Sequence, residues 1–132
     1  MASDSVVQSQ GYERHQITLT ASACVASGST DVVTGRVLMI GYTKVDFPNG
    51  VTFAITTSSA SVALWSQASV NASATIYPRV QVTGANTTGL VLNSDDDPMV
   101  DYIRCIHETV DIALTAAGSA ATTGTFDIFT GP

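Results

Sequence analysis

Short runs in which apolar and polar residues alternate, each soon closed by Gly, Pro, Asn or Asp, set the limits on what this chain can fold into. Side chains alternate between the two faces of a strand with period two, whereas a helix needs apolar residues at every third and fourth position. His15, Ile17 and Leu19 alternate with Arg14, Gln16 and Thr18, which predicts a strand over Tyr12 to Thr20. Further strands are expected over Ser61 to Ser69 around Leu64 and Trp65, and over Ala74 to Thr83 around Ile76, Val80 and Val82. Val91-Leu92, Met99 to His107, Val110 to Thr115 and Gly124 to Thr130 complete the set. Met99 to His107 sets Ile103 and Cys105 opposite Tyr102, Arg104 and Ile106, and Phe126 and Ile128 share a face in the last strand. Pro78 cannot donate to a ladder, so its strand is expected at an edge or bulged there. Ala21 to Thr30 reads as a loop or a weak strand.

The most apolar stretch is Asp31 to Val45. A helix is a formal alternative for it, but its β-branched and aromatic residues favour a strand. Asp46-Phe47-Pro48-Asn49-Gly50 follows, and Asn49-Gly50 is a strong signal for a tight hairpin. With Val51, Phe53 and Ile55 alternating beyond it, the pattern predicts a β-hairpin over Gly35 to Thr57. The expected fold is all-β: a single-domain antiparallel β-sandwich or jelly-roll-like barrel of seven to nine short strands. Residues 1–11, polar and aperiodic, are expected to be a flexible arm, and 12–132 the β domain.

Composition narrows the function. A chain of 132 residues fits one domain. Charged residues make up 12%, about half the usual share, with a net charge of −6 and five Lys and Arg. Phosphate binding needs a basic footprint, so nucleic acid is not an expected partner, nor is an anionic membrane surface. No run approaches the roughly 18 apolar residues of a membrane-spanning helix. Met1 to Gln10 lacks the pattern of a secretory signal, and the chain is expected to act as synthesised.

Chemistry is sparse. Cys24 and Cys105 both sit in apolar sequence and read as two free thiols; one bridge between strands is the alternative, if the chain meets an oxidising compartment. Asp95, Asp96 and Asp97 form an acidic cluster, but without the spacing of a calcium loop they read as a solvated turn. His15 and His107 lie in different strands, no Gly-x-Ser-x-Gly elbow accompanies them, and Cys105 and His107, two apart, should share a strand face. Asn71-Ala72-Ser73 and Asn86-Thr87-Thr88 match the glycosylation pattern, as a Ser- and Thr-rich chain does by chance. Trp65 and Tyr42 read as core or subunit-contact residues, with a sugar-binding platform as the alternative. No catalytic, cofactor-binding or metal-binding residue is assigned, and no cofactor is expected.

Several segments together resemble a known group. Gly35-Arg36-Val37-Leu38 precedes Tyr42-Thr43-Lys44-Val45-Asp46-Phe47 and Asn49-Gly50-Val51-Thr52-Phe53. Val70-Asn71-Ala72-Ser73-Ala74-Thr75, Tyr77-Pro78-Arg79 and Thr123-Gly124-Thr125-Phe126-Asp127-Ile128 follow in order, and the end closes on Gly131. From Tyr12 onward the chain is similar to small virion proteins encoded among the head genes of tailed bacteriophages. That resemblance implies a non-enzymatic capsid decoration or cement protein on the outer surface of the head. Its partners would be the major capsid protein and copies of itself, most simply a trimer. The alternatives are another virion component, such as a head fibre base, a neck or connector protein or a tail protein, and a carbohydrate-binding module for adsorption.

Overall fold

The two faces of β2 (Tyr12–Ser22) show how the alternation is used: His15, Ile17, Leu19 and Ala21 are buried, and the residues between them face outward. The computed structural model describes residues 4–9, 11–81, 100–118 and 120–132. Around β2 lie β1 (Asp4–Ser9), β3 (Val25–Ser29), β4 (Val33–Lys44), β5 (Val51–Thr57) and β6 (Ala63–Val70). They are followed by β7 (Ala74–Ile76), β8 (Arg79–Gln81), β9 (Val100–Glu108), β10 (Val110–Thr115) and β11 (Ala120–Gly131).

All pairings are antiparallel. One layer runs β1-β2-β11-β4, with β7 and β9 sharing the far edge of β4 and β8 beyond β9. The second layer runs β3-β10-β5-β6. The layers join at a tight turn where Ser22 of β2 pairs with Val25 of β3. The fold is thus an antiparallel β-sandwich, as expected, folded from one continuous sheet. Its core is aromatic at the centre. Tyr42 of β4 and Phe126 of β11 meet Phe53 of β5 at ring-centroid distances of 4.7 and 5.1 Å, and Phe53 meets Trp65 of β6 at 5.0 Å. Edge-to-face rings of this kind add to the burial of apolar area.

Eleven described strands exceed the expected seven to nine, for three reasons. Residues 4–9, read as part of a flexible arm, form β1, which pairs along β2 from Asp4↔Ile17 to Ser9↔Tyr12. Backbone pairing on an open edge needs no apolar side chains, so a polar segment can take it. Ala21 to Thr30, expected as a loop or a weak strand, supplies the end of β2 and β3. Pro78 splits its strand into β7, paired with β4, and β8, paired with β9. Val82, Thr83, Val91-Leu92, Met99, the Asp95 to Asp97 cluster and Asn86-Thr87-Thr88 lie outside the described residues.

The Gly35 to Thr57 hairpin is overturned. Gly50 does take a positive φ of 89°, as its turn requires, but β4 and β5 do not pair. Each already has both edges occupied: β4 by β11 on one side and β9 and β7 on the other, β5 by β10 and β6. The link between them is an arch from one layer to the other, and Phe47 is buried inside it. The arch is tied down on all sides. Asp46 and Phe47 donate their amides to the Thr123 carbonyl at 3.1 and 3.2 Å, and the Asp46 carboxylate accepts from the Thr123 amide and hydroxyl. Gly50 donates its amide to Asn71 Oδ1 at 2.7 Å, Lys44 donates its amide to Ser73 Oγ at 2.9 Å, and Lys44 Nζ reaches Asn49 Oδ1 at 2.6 Å.

Candidate binding surface

Most of the residues singled out in the sequence are held apart or buried. His15 lies in the core side of β2, its Nε2 3.9 Å from Glu13 Oε1. His107 is exposed on β9, two strands beyond β11. The expectation that Cys105 and His107 share a face is wrong. Gly35 pairs with Cys105 and Val33 with Glu108, so β9 bulges, and His107 takes a positive φ of 53°. One extra residue reverses the alternation, so Cys105 and Glu108 point inward and His107 does not. Trp65 and Tyr42 are 5% and 2% exposed, which makes them core residues and rules out a sugar platform built on them. Asn71 of the first glycosylation match serves the arch. Among the described residues, no three His, Cys, Asp or Glu gather where they could hold a metal, and no helix is long and apolar enough to cross a membrane.

The two cysteines are unbridged but unlike. Cys24, expected in apolar surroundings, is instead exposed at positive φ in the turn from β2 to β3, where a tight reversal leaves no core to enter. Cys105 is buried, and burial, reinforced by the Glu108 carboxylate, pushes its thiol up to about 11. In the native protein at pH 8, a thiol reagent should label Cys24 within minutes and Cys105 only after unfolding, because the thiolate is the nucleophile. Two equally fast thiols would contradict the burial of Cys105.

Glu108, at the end of β9, holds the turn between β5 and β6. Its Oε1 accepts the amides of Ser59 and Ala60, both at 2.7 Å. The Ala60 amide is the main cause of a carboxyl pKa below the ordinary 4.5; burial opposes it, and the Ser59 amide and the Thr57 side chain add to it. A carboxyl depressed on folding stabilises the protein fully above the ordinary range and loses that contribution as pH falls through its own lower value. Urea midpoints measured from pH 6 downward should therefore drop more steeply for the wild type than for Glu108→Ala, which starts lower at neutral pH. Parallel curves would show that these hydrogen bonds contribute nothing.

What the structure does gather is arginine. Arg36 stands directly opposite Arg104 in the β4–β9 register, and Arg79 opposite Tyr102 in β8–β9. Directly paired residues share a sheet face, as do Tyr102 and Arg104 two positions apart. Ile103 and Cys105 between them are buried, so the face carrying the arginines is the outer one. The guanidinium carbons of Arg79 and Arg36 lie 3.8 and 4.9 Å from the centroid of the Tyr102 ring, within cation–π range. Arg79 is further fixed by donating to the carbonyls of Pro78 at 2.7 Å and Leu38 at 3.3 Å, and Arg36 Nε donates to the Pro132 carbonyl at 2.6 Å. Ile106, next along this face, is 76% exposed.

The same outer face continues into an open apolar groove of about 220 Å³ lined by Val7, Tyr12, Arg14, Leu38 and Phe129, with Glu13 and Thr130 at its sides. Val7 and Tyr12 are 52% and 51% exposed. Arg14 pairs across β2 with both Val7 and Phe129, so the fourth arginine stands on this face too. Gly131, opposite Arg36, joins the two parts, because a side chain there would strike the Tyr12 ring and Leu38. A protein of net charge −6 thus displays all four of its arginines on one sheet face, beside exposed aromatic and aliphatic groups. The sequence reading missed this face, since the residues are scattered along the chain and only strand register assembles them.

No family model and no curated protein matches this chain. A solved structure described as "CBM4 structure and function" is similar over 99% of this chain and 78% of its own, at 14% identity and a TM-score of 0.28. A likeness that slight carries no argument about what this chain binds.

Proposed function

We propose that this chain is a non-enzymatic virion structural protein, a capsid decoration or cement protein that docks on the mature shell of a phage head. The observation that carries the docking half of this reading is the gathering of four arginines, Tyr102 and an apolar groove on one outer sheet face. Protein interfaces are enriched in Arg and aromatic residues and depleted in Lys. The capsid half rests on the ordered resemblance of the segments from Gly35 to Ile128. The partner is then the major capsid protein. A protein that binds only the mature shell stabilises that shell by linkage, and many copies on one lattice add resistance to expansion or rupture. The same reading has the chain act as a homo-oligomer, in the simplest case a trimer on a threefold site, on the outer capsid surface.

The test is to mix purified protein with mature heads, sediment them and count bound copies. Saturable binding at hundreds of copies per particle, with a raised temperature of head disruption, is the expected result. A handful of copies per particle moves the protein to the neck or a fibre base, and no binding to heads overturns the reading. Light scattering of the free protein decides the oligomeric state.

A further inference from the structure

We propose that the outer face formed by Arg36, Arg79, Tyr102 and Arg104 recognises carboxylates on a protein partner, with the adjoining groove taking an apolar side chain beside them. This deepens the docking reading above and rests on it. Arg36 and Arg104 are like charges placed directly opposite across a strand pair, an arrangement that costs stability by itself. No carboxylate forms an ion pair with Arg36, Arg79 or Arg104 among the described residues. The cost is relieved when an anion sits between them.

The geometry suits a carboxylate. A guanidinium carries five N–H donors in a planar fork that matches a carboxylate in two-point contact. Arg36 spends its Nε and Arg79 one terminal nitrogen on backbone carbonyls, which fixes both planes and leaves other donors available. The Tyr102 ring holds the two guanidiniums near each other, so little side-chain freedom remains to be lost on binding. Arg104 is exposed beside them. The occupant is protein rather than nucleic acid for two reasons. The rest of an acidic chain repels a long polyphosphate, whose binding needs an extended basic track. A phosphate backbone also has nothing to offer the groove between Val7, Tyr12, Leu38 and Phe129, whereas an acidic protein segment with one large apolar residue fits both halves.

The probe is a glutamate decapeptide carrying one central phenylalanine, titrated into the full chain by calorimetry and by NMR. Saturable binding that weakens with salt is expected, together with a several-fold loss when the phenylalanine is replaced by glutamate. Arg79→Gln combined with Arg104→Gln should weaken binding about tenfold or more, the effect of removing charge-assisted hydrogen bonds, while the melting temperature stays close to that of the wild type. Lys44→Gln removes a cation at the arch and should leave binding unchanged. The inference is overturned if the peptide does not bind, if Lys44→Gln weakens binding as much as the arginine pair, or if a deca-thymidine strand binds more tightly than the peptide. Heads separate the two readings. If the arginine variant loses both peptide and heads, both stand. If it loses the peptide but keeps the heads, carboxylate recognition of the shell is refuted and the capsid reading survives. If the wild type binds peptide but not heads, the capsid reading falls and the carboxylate face stands.

Discussion

Phe53→Ala is expected to destabilise the protein by about 3–5 kcal/mol, the range for truncating a buried aromatic. Phe53 is fully buried on β5, and its ring touches those of Tyr42, Phe126 and Trp65. Tyr42 and Phe126 belong to one layer of the sandwich and Phe53 and Trp65 to the other, so the lost ring leaves a void where the layers meet. The surrounding rings stand on paired strands and cannot collapse far into it. Removing the ring also forfeits three aromatic contacts, each worth about 0.5–1.5 kcal/mol beyond area burial. Urea denaturation followed by tryptophan fluorescence measures the change, since Trp65 reports directly on the site. Phe53→Leu, which refills most of the volume, should cost only about 1–2 kcal/mol. Equal effects of the two substitutions would show that Phe53 is not at the junction of the layers.

Gly35→Ala should cost roughly 2–6 kcal/mol, from two sources that add. Gly35 has a φ of +145°, where a side chain is strained by about 1–3 kcal/mol. A Cβ there would also lie 2.3 Å from the carbonyl oxygen of Gly131, a backbone atom held in β11. Overpacking of this kind costs about 1–3 kcal/mol, because the strand must move rather than a side chain. Gly50→Ala is the internal comparison. Gly50 also has a positive φ, of 89°, but nothing within 4 Å of its would-be Cβ, so it should lose only about 1 kcal/mol. If Gly35→Ala is no worse than Gly50→Ala, the close approach of β4 to β11 is wrong. Gly35 adjoins Arg36 and faces Gly131, next to the Pro132 carbonyl that Arg36 binds, so a misfit here would also disturb the arginine face.

The strands and their inward residues were legible in the sequence because alternation is local. His15, Ile17 and Leu19 alternate with polar neighbours, and β2 buries them. Phe126 and Ile128, and Ile103 and Cys105, follow the same rule. A strand's pleat fixes which residues share a face whatever the strand pairs with. The parity failed at His107, where a bulge adds one residue, because a bulge is set by the partner strand's register rather than by the bulged residues themselves.

Pairing was not legible. Asn49-Gly50 encodes a reversal of the chain and the positive φ at Gly50, and both are present. It does not encode which edges are free when the chain comes back. β4 receives β11, from the far end of the sequence, and β5 receives β10, because burying Phe47 and the two apolar faces favours an arch over a hairpin. The arginine face is decided at the same level. By itself the sequence determined an acidic all-β chain with few cations and an inward pattern for each strand, all of which follow from composition and period two. Only the tertiary structure decided that Arg36 and Arg79 meet over Tyr102, with Arg104 on the same face. They lie on three separate strands, and their meeting depends on long-range register, which no local spacing carries.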